Sequence, residues 1–140
     1  MSDTAIPGGL VSDRHNLTYV VPGITQPTFV GPPVIVSYTA NGVISPEPGI
    51  KMLNKTSALA STTLAAPNRA GDYIFLIAGT AFAHVVTATG LIQDGVTGGA
   101  KATLTFGAFV GSSIGLVGIA SPSTGALTWA VTFKNVCVIT

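Results

Sequence analysis

The sequence predicts an all-β protein: a compact antiparallel sandwich or barrel-like domain preceded by an extended, proline-rich N-terminal arm. Three observations carry that reading. Short runs of β-forming residues recur between Gly, Pro, Asn and Ser clusters, the spacing of a sandwich or barrel. No stretch of ten residues shows helical periodicity, and no internal repeat is found. Seven of the nine prolines fall within the first 48 residues.

The arm comes first. Pro7, Pro22, Pro27, Pro32, Pro33, Pro46 and Pro48 fix φ and remove ladder donors, which excludes regular helix or central strand. The stretch is nonetheless apolar, with Leu17, Tyr19, Val20, Ile24, Phe29 and Val30 spaced along it. Extended chain with regular apolar anchors lies along a surface. It either wraps its own domain or grips a partner; the reading adopted is a partner-docking arm over residues 1–48, with these six residues as the contacts. A β-rich oligomerisation and display domain is assigned to residues 49–140.

Val34–Tyr38 reads as a strand ended by Asn41-Gly42, a hairpin-turn signal. Val43–Ile44 and Ile50–Asn54 continue it as short strands, and Ser57–Ala65 is a further strand candidate. Pro67–Asp72 is a turn. Tyr73–Ala78 is apolar at nearly every position, the pattern of a strand buried on both faces. Phe82–Thr89 alternates, placing Phe82, His84, Val86 and Ala88 on one face. Tyr73–Ile92 is apolar enough to raise a membrane-span question, but its glycines and β-formers fit two strands and a turn better. Gln93–Ala100 is a hairpin loop. Lys101–Phe109 sets Ala102, Leu104, Phe106 and Ala108 against Lys101, Thr103 and Thr105. Ile114–Ala120, Ala126–Phe133 and Val136–Ile139 complete the strands, with Trp129 and Phe133 on one face of theirs.

Composition narrows function. Charged residues are 8% of the 140, against about 25% in a typical soluble domain. With six Lys or Arg and five Asp or Glu, much of the surface is either neutral polar or turned toward other protein. That favours a homo-oligomer. The basic residues are scattered, which argues against nucleic acid. The one cysteine, Cys137, allows no intrachain disulfide and reads as a small buried hydrophobe. Met1–Thr4 lacks a basic leader segment, so no secretion signal is read, and the glycosylation patterns at Asn16 and Asn54 are taken as chance.

The chain is read as no enzyme, with no cofactor, metal or membrane partner. Catalysis needs convergent titratable groups, and the two histidines stand far apart. His15 sits in the arm beside Asp13 and Arg14 and reads as solvated; His84 reads as a packed or interface histidine. No zinc spacing occurs. Gly95–Lys101 fails as a phosphate loop because Ala100 and Ala102 flank Lys101. No nucleophile elbow exists. Trp129 leaves a sugar-stacking role open, the basis of a carbohydrate-binding alternative.

Several segments carry a resemblance: Thr63-Leu-Ala-Ala-Pro67, Ala81 to Gly95 with Ala83-His84-Val-Val-Thr87 at its centre, Gly98 to Phe106, Gly111 to Val117, and Leu127-Thr-Trp129. Over residues 50–135 the chain resembles small virion proteins of tailed bacteriophages, among them head-decoration and head-fibre proteins. The resemblance implies a β-rich domain, often trimeric, on the outer surface of a capsid. The expected partner is the major capsid protein, and the expected location is the virion, after synthesis in the host cytoplasm. The resemblance assigns no active-site residues, and the arm has no matching pattern. A tail or tail-fibre component is the alternative.

Overall fold

The structure, a computed structural model, describes residues 10–12, 17–19, 34–96 and 99–140. Two compact units divide the chain at Pro32/Pro33. In the first, β1 (Leu10–Ser12) pairs antiparallel with β2 (Leu17–Tyr19), Val11 opposite Thr18.

The second unit holds ten strands and, among the described residues, no helix: β3 (Ile35–Tyr38), β4 (Val43–Ile44), β5 (Gly49–Leu53), β6 (Thr62–Leu64), β7 (Tyr73–Ala78), β8 (Val85–Gln93), β9 (Lys101–Phe106), β10 (Ser113–Ala120), β11 (Leu127–Asn135) and β12 (Cys137–Ile139). They form one nearly closed, barrel-like sheet in the order β12-β9-β8-β11-β10-β7-β5-β3, with β6 and then β4 branching from β8. Because β3 and β4 belong to it, the sequence division at residue 48/49 falls between two strands of one unit.

The chain builds this sheet by winding. It alternates between two walls, laying β3, β5 and β7 side by side in parallel on one and β4, β6 and β8 in parallel on the other. Two hydrogen bonds extend the first ladder beyond its strands, from the Ile50 amide to the Val34 carbonyl at 2.9 Å and from the Asn54 amide to the Tyr38 carbonyl at 2.8 Å. β10 and β11 then add to β7 as an antiparallel hairpin, and β9 and β12 add antiparallel to β8. The long β8 joins the walls. Its first half meets β6, and its last residues meet β11, Ile92 beside Trp129 and Gln93 beside Ala130.

The antiparallel expectation is therefore corrected: five of the nine pairings in this unit are parallel. Asn41-Gly42 is likewise not a hairpin turn. It is the corner at which the chain leaves one wall for the other, since β3 pairs with β5 and not with β4. Turn chemistry fixes a local reversal of direction, and it does not say whether the next strand returns to the same sheet. The window Tyr73–Ile92 is two strands joined by a short loop, β7 and β8.

Apolar side chains from both walls fill the space between them. Leu53, Ile74, Leu76, Ile114, Leu116 and Trp129 come from one side, and Ile44, Leu64, Val86, Ile92, Leu104 and Phe106 from the other. Trp129 is the largest of them and fully buried; its indole Nε1 donates to the Ala65 carbonyl at 2.8 Å, a tie from β11 to the segment after β6. Such a handle is what a buried indole needs. Gly118 permits this closeness, because a Cβ there would collide with the Arg69 carbonyl and Pro67.

Candidate interaction surfaces

Of the six predicted arm contacts, Leu17 and Tyr19 lie on β2, where the backbone alone is described; Val20, Ile24, Phe29 and Val30 lie outside the described residues, as does His15.

His84 stands just before β8 and is fully buried. Its Nδ1 accepts from the Leu59 amide at 3.2 Å, and its Nε2 lies 2.9 Å from the Thr80 hydroxyl, which itself donates to the Lys55 carbonyl at 2.8 Å. Thr80 has spent its proton on Lys55, so the imidazole must carry its own proton on Nε2. Both nitrogens are thus committed and the ring is neutral. Burial holds its pKa below the ordinary histidine value, and the positive charge of Lys55 pushes the same way. The result is a structural clamp between two loops, with no lone pair left for a metal or a substrate proton.

Lys51 is less expected. It lies at the centre of β5 beside Leu76 and turns into the interior, 2% exposed. Burial lowers its pKa, and the Glu47 carboxylate partly offsets that. Its amine makes no hydrogen bond within the described residues. A cation so placed costs stability unless paired. Lys51→Met is therefore expected to raise the unfolding free energy at neutral pH by about 1 kcal/mol, read by urea denaturation. Because the folded-state pKa is depressed, the lysine penalty is full at low pH and is relieved as pH rises toward the unfolded value. The variant's advantage should shrink correspondingly in alkaline buffer.

Cys137 is buried on β12, and burial pushes its thiol up to about 11, an unreactive state at neutral pH. A shallow depression of about 350 Å³ among Gln93, Ile119, Pro122, Ala126 and Thr128 holds no titratable side chain. Trp129, the proposed sugar platform, points into the core, so that role is withdrawn. Phe133 does not share its face. Gly115 opposes Phe133 while Leu116 opposes Val131, so Thr132 is an extra residue. Such a β-bulge reverses the alternation beyond it and turns Phe133 outward.

The outer faces of the two walls differ in their aromatic content. On the β4-β6-β8-β9 wall one cross-strand row reads Val43, Thr63, Thr87, Thr103. Threonine suits a wetted sheet face. On the β3-β5-β7-β10-β11 wall the corresponding row reads Ile35, Ile50, Phe75, Gly115, Phe133, and the next reads Ser37, Met52, Ile77, Ser113, Asn135. Tyr73, Val117 and Ala130 follow on the other side. No charged residue stands in these rows. Gly115 is bare for a reason: a Cβ would strike the Phe133 ring and the Tyr73 hydroxyl. Across it Phe75 and Phe133, two strands apart, bring their ring centroids to 5.3 Å. The pattern of Tyr73–Ala78 predicts burial on both faces; Ile74, Leu76 and Ala78 are buried, while Tyr73 is 41% exposed and Phe75 and Ile77 are half-buried.

A second apolar cluster lies at one end of the unit, where Phe109, Val110 and Val136 are all more than half exposed. Val136 has φ of 50°, a left-handed conformation that a β-branched residue adopts only under constraint. The constraint is Ser112. Its buried hydroxyl donates to the Val136 carbonyl at 2.6 Å and accepts from the Gly107 amide at 3.0 Å, which also reaches the Val136 carbonyl at 2.7 Å. These bonds tie Val136 to the segment Gly107–Ser112.

Compared with known proteins, the chain is matched by no family model and by no curated sequence.

Proposed function

We propose that the chain is a structural, non-enzymatic virion protein that decorates the outer surface of a tailed-phage capsid as a homotrimer. The observation that carries this is the apolar outer face of the β3-β5-β7-β10-β11 wall, in a chain with only eleven formally charged residues. A sheet face of that kind suits contact with protein rather than water. The family resemblance supplies the setting. Among the described residues, the buried titratable groups are occupied in structural contacts or stand alone, which supports a role without chemistry.

In this reading the segment ahead of Pro33 docks on the major capsid protein through Leu17, Tyr19, Val20, Ile24, Phe29 and Val30, while the ten-stranded unit is displayed outward. Such docking buries apolar side chains across capsomer boundaries and stabilises the shell without catalysis.

Immunogold electron microscopy of virions tests the setting. Label distributed over the head is expected. Label confined to the tail replaces decoration by the tail-component reading, and virions without label overturn both. Full-length protein carrying Phe29→Asp and Val30→Asp should bind bare capsids at least tenfold more weakly, as measured by co-sedimentation; unchanged binding removes the arm from the docking contact.

A further inference from the structure

We propose that the outer face of the β3-β5-β7-β10-β11 wall is the surface on which copies of this chain meet one another. The inference rests on the oligomeric part of the reading above and assigns that contact to one wall.

Three features of the face select a second copy over a foreign partner. It is neutral: no charge lies in its rows, and its polar groups are few, chiefly the Tyr73 hydroxyl, Ser37, Ser113 and Asn135. Recognition of a foreign protein uses complementary charge for steering and selectivity, and this face offers none to complement. Interfaces between copies are the ones with unusually apolar centres. The face is also its own complement in chemistry, so copies can pack sheet against sheet at the ~10 Å spacing of layered sheets.

Its size fits. Five strands ~4.8 Å apart, with three outward rows ~6.8 Å apart along them, give a footprint of roughly 500 Å². That is the larger part of the ~800 Å² per partner that a stable interface buries. The opposite wall makes the contrast. Built by the same winding and on the same strand spacing, it carries the row Val43, Thr63, Thr87, Thr103 and beside it Val85, Thr105, Val138, with threonine in most places and no aromatic side chain.

The test uses the full-length protein. Sedimentation velocity at micromolar concentration should show an oligomer. Phe133→Lys, which sets a charge at the centre of the aromatic cluster, should weaken association at least tenfold, whereas Thr87→Lys on the opposite wall should leave it unchanged. An unmodified protein that stays monomeric at 100 micromolar, or a Phe133→Lys protein that associates as before, overturns the proposal. Should Phe133→Lys not fold, hydroxyl-radical footprinting of the unmodified oligomer decides: Tyr73 and Phe133 protected relative to Phe109 is expected, and equal reactivity refutes the contact. The trimer fails separately. A dimer dissolved by Phe133→Lys upholds this face and removes three-fold assembly; a trimer indifferent to that substitution does the reverse.

Discussion

Trp129→Ala is expected to lower the unfolding free energy by about 3–5 kcal/mol, the largest effect of any single substitution in the ten-stranded unit. The indole is fully buried between the walls, beside the point where β11 meets β8. Truncation leaves a cavity where parallel pairing of two residues, Trp129 with Ile92 and Ala130 with Gln93, joins the two walls. Neighbours cannot collapse into it easily, because Gly118 already sits against the Arg69 carbonyl and Pro67. A loss of 4 kcal/mol in a unit of this size corresponds to a fall in Tm of roughly 15–20 °C, which calorimetry would read directly. Trp129→Phe separates the two contributions. It keeps most of the ring volume but removes the donor to the Ala65 carbonyl. Ala65 is exposed, so water replaces the lost donor, and the cost should be only about 1 kcal/mol. A Phe variant as unstable as the Ala variant would mean that the hydrogen bond, not the volume, holds the walls together.

Trp129 also shows where sequence reading reached and where it stopped. Most strands of the ten-stranded unit were legible, since alternation and turn residues are local signals. β4, β5, β7, β9 and β10 lie where the pattern put them, and Leu104 and Phe106 face inward together. The wall on which each strand lies was not legible. The unit winds like a short solenoid, but Ile35 pairs with Ile50 and Ile50 with Phe75, 15 and 25 residues apart. Unequal rungs leave no repeat to find, and parallel neighbours distant in sequence carry no turn signature of their own. The bulge at Thr132 was equally hidden. Nothing local distinguishes an unpaired threonine from a paired one, yet it decides that Trp129 is core and Phe133 is surface. Lys51 is the reverse case, because a lysine in a strand reads as outward-facing until the register places it beside Leu76.

The interaction surface was half legible for a similar reason. The run Tyr73–Ala78 shows two apolar faces, the pattern of a strand buried by its own fold on both. It is buried by its own fold on one side only. The excess of apolar side chains over what the core needs is what the proposed contact between copies would cover, and it becomes readable once the core positions are known. The low charge content belongs to the same account. Tyr73, Phe75, Val117 and Phe133 occupy outward places that in many soluble domains carry Lys or Glu.

The pH response should be set chiefly by His84. In the unfolded chain an imidazole titrates near 6.5; in the folded protein burial and the charge of Lys55 hold the pKa lower. Between those two values the unfolded chain binds more protons than the folded one, so stability is full above about pH 6.5 and declines as pH falls, by up to about 1.4 kcal/mol per pH unit from this group. The geometry gives the cause: a second ring proton would sit on Nδ1, facing the Leu59 amide that now donates to it at 3.2 Å. Protonation therefore converts a hydrogen bond into an opposition of two donors and releases the loop around Leu59, itself a fully buried core residue. Urea unfolding at pH 7.5 and pH 5 should show the decline in the parent protein and a flatter profile in His84→Gln. His84→Ala should cost about 3 kcal/mol at pH 7.5, from the cavity and the unsatisfied Leu59 amide together. If His84→Gln keeps the full acid sensitivity, the proton is taken up elsewhere. The histidine is then a packing element alone, and its two hydrogen bonds contribute to folding without tuning it.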